Sequence, residues 1–286
     1  MSKVHDRYFN SPDGVRLHYR DYDGPHDKPP ILCLHGLTRN ARDFEPVAEA
    51  FAGDWRVIVP SFRGRGLSAP DPNSKNYAPP VYVGDILKLL DQLGIADAVF
   101  VGTSLGGIVT MLLASSDEER VAGALINDIG PELVEEGIDR IRTYVGIPLD
   151  FDSWGEAVAT ISERMGDIYP KWGEAEWDRF TRRIMRERED GTIGLDYDMA
   201  IRDNVVASAN EPPMDAWHLL DGLKDKPVTI LRGERSDLFD AAMAERMVAH
   251  LPGAQLVTIP DVGHAPSFDE PESLAALQAL LERIDA

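Results

Sequence analysis

The stretch AVFVGTSLGGIVTMLLA, Ala98–Ala114, changes character at its middle. Four apolar residues suited to a buried strand run into Gly102-Thr103-Ser104-Leu105-Gly106, and an apolar helical pattern follows. A strand that ends at Gly102 and a helix that begins near Leu105 leave almost no loop between them. The residue at the joint is forced toward positive φ, which is costly for any residue bearing a Cβ. Glycine at Gly102 and Gly106 removes the collisions that side chains would make with the neighbouring strand and helix. The one polar side chain at the apex, Ser104, is therefore lifted clear of the sheet's carboxyl end, where open α/β sheets bind their ligands. The helix behind it offers unpaired N–H groups and a positive dipole end to a developing anion. Gly-x-Ser-x-Gly alone is a weak signal; its place at a strand-to-helix junction makes it specific.

The surrounding sequence repeats this β-then-α rhythm. VRLHYRDY (Val15–Tyr22) alternates as a half-exposed strand does, after the turn signal Asp13-Gly14. PILCLHG, WRVIVPS, DAVFVG, VAGALIND, PVTILRG and AQLVTIP are continuous apolar runs bounded by Gly, Pro and Asp, the pattern of strands covered on both faces. Helical patterns at Val81–Leu93, Ala241–Leu251 and Glu272–Ile284 separate them, the first stopped by Gly94 and the last opened by Pro271. The expected fold class is α/β, a mostly parallel, doubly wound sheet, with the two opening strands as an antiparallel edge. Between Gly130 and Pro213 the alternation breaks. Amphipathic helical segments rich in aromatic residues replace it, and no buried-strand pattern is evident. The economical division is a core of residues 1–130 and 214–286 with a helical cap of residues 131–213.

The bulk numbers limit the function. Hydrophobic content of 43% and charged content of 27% over 286 residues suit a globular protein. No apolar run approaches a membrane span, and the opening MSKVHDRYFNSPDG lacks an apolar signal core, so the expectation is a cytoplasmic protein with no membrane partner. A net charge of −20 argues against nucleic acid and mildly against strongly anionic substrates. The single cysteine, Cys33, lies in an apolar run and reads as a buried hydrophobe. No metal-ligand cluster and no phosphate- or dinucleotide-binding glycine loop is present, so no cofactor and no metal are expected. Nothing in the pattern specifies an oligomeric state.

Five segments together resemble the α/β-hydrolase family, over nearly the whole chain. LHGLTRNARDF is similar to the family's His-Gly loop and PSFRGRGLS to its Asp-x-Arg-Gly-x-Gly-x-Ser segment, with Ser61 where the family usually has Asp. VGTSLGG matches the nucleophile elbow, LRGERSD the acid loop and DVGHAP the histidine loop. The resemblance implies Ser104 as nucleophile and His264 as its base. It implies Asp237 as the acid, giving the chain order Ser104, Asp237, His264; Asp128, at the end of ALIND, is the alternative, because some relatives take the acid from that earlier strand. The backbone N–H groups of Leu37 and Leu105 would form the oxyanion hole. His35 and Gly36 would shape its loop, and Gly102 and Gly106 the elbow. The implied activity is hydrolysis of a small-molecule carboxylic ester, of small to medium and apolar character, through an acyl-enzyme. Lactones, and carbon–carbon cleavage of vinylogous diketones, are neighbouring activities of the same triad, and a ligand receptor on this scaffold is the non-enzymatic alternative.

Overall fold

The computed structural model describes residues 3–132, 135–207 and 216–285. The first six strands in chain order are β1 (Val4–Asn10), β2 (Arg16–Tyr22), β3 (Ile31–Leu34), β4 (Val57–Pro60), β5 (Ala98–Thr103) and β6 (Val121–Asn127). Three short strands, β7 (Asp150–Phe151), β8 (Met185–Glu187) and β9 (Ile193–Leu195), precede β10 (Val228–Gly233) and β11 (Gln255–Ile259). The main sheet has eight strands in the order β1-β2-β4-β3-β5-β6-β10-β11. β1 and β2 pair antiparallel at one edge, β2 meets β4 antiparallel, and all further pairings are parallel.

The continuous apolar runs explain the placement of the central strands. β3, β4 and β5 are buried at every position. Side chains that alternate along β5 enter different cores. Phe100 joins a cluster with α2 (Pro79–Leu93) and α3 (Leu105–Ser116), whereas Val99 and Val101 face α1 (Glu45–Phe51) and α9 (Pro271–Ile284). Each such buried side chain contributes about 1.5–3 kcal/mol relative to exposure. α2 starts on prolines and stops at Gly94, whose φ of 66° closes the helix in the left-handed region. Cys33 is buried in β3, and burial pushes its thiol well above the ordinary range.

Between β6 and β10 the chain leaves the sheet. It forms α4 (Glu135–Tyr144), α5 (Trp154–Met165), α6 (Glu174–Ile184) and α7 (Ile201–Ala207). It also forms a second, antiparallel sheet in the order β7-β9-β8, which the sequence does not announce. The reason is length: strands of two or three residues are too short to display an alternation. Of the expected 131–213 segment, residues 133, 134 and 208–213 lie outside the described residues. The chain returns to the sheet at β10, and α8 (Ala241–His250) leads to β11. Among the described residues no helix is long and apolar enough to cross a membrane.

Candidate active site

Ser104 occupies the β5–α3 joint with φ 52° and ψ −114°. For a residue with a Cβ that conformation costs roughly 1–3 kcal/mol, and its surroundings must impose it. They do so by proximity. A Cβ on Gly102 would lie 2.5 Å from the Gly106 carbonyl oxygen, and one on Gly106 would lie 1.9 Å from the Leu34 carbonyl oxygen. The Ser104 N–H donates to the Asn127 carbonyl at 2.9 Å, which binds the joint to β6. The Asn127 side chain donates to Thr103 Oγ1 at 2.9 Å and to the Pro266 carbonyl at 2.8 Å. One buried amide thus ties the joint to the loop after β11, and no sequence motif flags it.

That loop carries His264. Its Nε2 lies 2.9 Å from Ser104 Oγ, and its Nδ1 lies 2.8 Å from Asp128 Oδ2. An ionised carboxylate only accepts, so Nδ1 holds the proton and Nε2 is left to accept from the serine hydroxyl. Two contacts from the segment between α5 and α6 grip the loop. The Gly263 N–H donates to the Ile168 carbonyl at 2.8 Å, and the Tyr169 hydroxyl donates to the Ala265 carbonyl at 2.7 Å. Tyr169 itself is buried in an aromatic cluster with Trp172, Trp177 and Phe180. Tyr169 is a positioning residue that sequence reasoning did not single out beyond counting it among the aromatics.

The carboxylate beside His264 differs from the expectation. Asp128, not Asp237, meets His264. Asp128 follows β6 with φ 57° and is fully buried. That turn aims its carboxylate at the loop after β10, where it accepts from the Gly233 N–H at 2.7 Å and the Ser236 hydroxyl at 2.6 Å. Asp237, next along that loop, is instead held by Arg140 of α4 through Nε and, at 2.9 Å, through Nη2. Burial raises the Asp237 carboxyl, but the Arg140 hydrogen bonds and charge outweigh it and hold the carboxyl below its usual range. The loop thus supplies Ser236 to the Asp128 carboxylate and sends Asp237 to α4.

His35 and Gly36 place the loop after β3 against the joint: a Cβ on Gly36 would lie 3.9 Å from Ser104 Cβ. The His35 ring spans two segments. Its Nδ1–H donates to the Gly36 carbonyl at 2.7 Å, and its Nε2 accepts the Phe62 N–H at 3.0 Å. Arg65 Nε donates to the Leu37 carbonyl at 3.0 Å, fixing the next peptide. Among the described residues the N–H groups of Leu37 and Leu105 have no acceptor, and Leu105 is the first residue of α3, where none is available within the helix. Ser61 has a packing role: its hydroxyl accepts the Ala41 N–H at 3.1 Å and its carbonyl accepts from Ser68.

Burial pushes the fully enclosed His35 imidazole down to about 3. Unfolded, it titrates near the ordinary 6.5, so the unfolded chain takes up protons first as the pH falls. The stability that neutral His35 contributes is intact above 6.5 and is lost as the pH drops from 6.5 toward 3. By pH 5 the loss is about 2 kcal/mol. Urea denaturation at pH 7.5 and pH 5 checks this: His35→Gln will be less stable throughout, but its loss between the two pH values will be smaller than the parent's by about that amount. An equal loss in both proteins would contradict a neutral, buried His35.

A cavity of about 460 Å³ opens over Ser104 and His264. Its walls combine Gly36, Leu37 and Thr38 of the loop after β3 with aliphatic side chains such as Ile141, Ile161, Met165 and Leu195 from beyond β6. Tyr144, Tyr169 and Tyr197 also line it, whereas Trp177 and Phe180 are buried away from the lining.

Comparison with known proteins bears on the family and the fold. The alpha/beta hydrolase family matches residues 31–277, and the chain belongs to that family. An alpha/beta hydrolase crystal structure from Novosphingobium aromaticivorans DSM 12444 superposes with a TM-score of 0.94 at 48% identity, covering 99% of each chain. A 3-hydroxybutyrate-oligomer hydrolase of Cupriavidus necator is 33% identical over 93% of this chain and 92% of its own length. A 2-(acetamidomethylene)succinate hydrolase of Mesorhizobium japonicum is 26% identical over 90% and 88%. The shared function at this level is hydrolysis.

Proposed function

We propose that the chain is a serine hydrolase that cleaves carboxylic esters through an acyl-enzyme. The single observation that carries this reading is the relay Ser104 Oγ–His264 Nε2 at 2.9 Å and His264 Nδ1–Asp128 Oδ2 at 2.8 Å. In this reading Asp128 replaces Asp237 as the acid. His264 Nε2 takes the Ser104 proton as Oγ attacks the ester carbonyl. The tetrahedral oxyanion is received by the N–H groups of Leu37 and Leu105; one such donor typically accounts for about 2.7–4 kcal/mol of transition-state stabilisation. The imidazolium returns its proton to the departing alcohol, leaving Ser104 acylated. Water then gives a proton to His264 and attacks the acyl carbon; the acid departs and Ser104 recovers its proton.

The segment from α4 to α7 acts as a cap that sets substrate size, and its aliphatic lining favours an apolar acyl chain. A relative named for hydrolysing a 3-hydroxybutyrate oligomer at 33% identity supports the ester reading. The test is an acyl-length series of p-nitrophenyl esters beside a vinylogous diketone. The expected result is multiple turnover of esters with none of the diketone. Diketone cleavage without ester turnover would overturn the proposal, and a single turnover with a retained adduct would point to a receptor.

A further inference from the structure

We propose, resting on the ester reading above, that the substrate carries a carboxylate on its acyl part, and that Arg164 is its receptor. Three arginines line the cavity over Ser104: Arg39 beside the loop after β3, Arg140 on α4 and Arg164 on α5. Two of them already have acids. Arg39 lies 3.4 Å from Asp43, with its guanidinium over the Phe180 ring, and Arg140 holds Asp237. Arg164 has no carboxylate partner among the described residues, in a chain with 49 acidic and 29 basic side chains.

The helix dictates where Arg164 points. Ile161, Arg164 and Met165 stand at i, i+3 and i+4 on α5, one face of the helix, and all three line the cavity. Ile161 is buried and Met165 half-buried, whereas Arg164 is exposed, so the face runs from the interior out to solvent at Arg164. An acyl chain seated along that face has its reacting carbonyl at Ser104 and its far end near the guanidinium. A carboxylate entering an aliphatic cavity without a partner is strongly disfavoured, and a guanidinium offers it a planar, two-pronged one. Net charge spread over the surface does not decide this. Of the three arginines in the cavity lining, two are offset by their own acids, Asp43 and Asp237, so Arg164 is the one whose charge no ion pair among the described residues offsets.

Another role for Arg164 is possible on general grounds, since a cation in the last turn of a helix favours the helix dipole. That role affects stability and not substrate choice, which makes the two separable. The measured quantity is the ratio of kcat/KM for the mono-p-nitrophenyl ester of adipic acid to that for p-nitrophenyl hexanoate, of equal chain length. The expected result is a ratio above one that falls about tenfold in Arg164→Gln. It stays unchanged in Arg179→Gln, which removes the same charge from the exposed face of α6. Turnover of both esters with a ratio that Arg164→Gln leaves unaltered would overturn the carboxylate proposal and leave the ester reading standing. Turnover of neither ester would remove the ester reading; calorimetric binding of monomethyl adipate to the Ser104→Ala chain then decides the carboxylate site. Weaker binding when Arg164→Gln is added, but not Arg179→Gln, supports it, and equal binding in all three overturns it.

Discussion

Ester turnover will fall by roughly 10⁶-fold in Ser104→Ala, with the folded structure retained. The size follows from the site's design. Without Oγ there is no acyl-enzyme, and what remains is the electrostatic help of the oxyanion donors and the binding of substrate, a residual of roughly 10³–10⁴ over water. The fold survives because alanine meets the same surroundings: Gly102 and Gly106 still leave room for the turn, and the N–H to Asn127 is a backbone contact that the substitution keeps. Near-equal Tm values and a lost rate are the expected pair. A variant that keeps a tenth or more of the activity would show that another group carries the reaction.

Asp128→Asn will lower kcat by about 10⁴-fold, whereas Asp237→Asn will cost less than about tenfold. An amide at 128 can still accept the Gly233 N–H, so the turn is preserved. Facing His264, however, it no longer offers a charged acceptor; the imidazole loses both the orientation and the compensation that its protonated form needs. Asp237 is engaged with Arg140, so its substitution frees an arginine at the cavity and perturbs α4 without touching the ring. Steady-state kinetics of both variants on one neutral ester separate the two. A larger loss at 237 than at 128 would return the acid to the loop after β10.

The central strands of the main sheet were legible because each is a short apolar run with turn formers at its ends, and β2 because it alternates; β1, polar or charged at most positions, was not placed. The joint at Ser104 was legible because the two glycines it needs flank it two positions on either side, whatever they pack against. The acid was not. Its choice rests on a positive φ at Asp128 and on Ser236, 108 positions further along, donating to it, while Arg140, 97 positions before Asp237, draws that carboxylate away. None of those partners is marked by spacing. Asn127 and Tyr169 were missed for the same reason: each acts on a loop more than ninety residues away in sequence. The small antiparallel sheet escaped notice because its strands are shorter than one period of recognisable pattern. The arginines that line the cavity belong to no motif and were not singled out.

Ser104 as nucleophile means one covalent bond to a reactive electrophile. Brief exposure to a fluorophosphonate, which phosphonylates only an activated serine, followed by peptide mass spectrometry, tests it directly. One phosphonyl group per chain on Ser104, formed far more slowly in His264→Ala, is the predicted result. A chain that turns over esters while Ser104 stays unlabelled, or that carries the label on another serine, would contradict it.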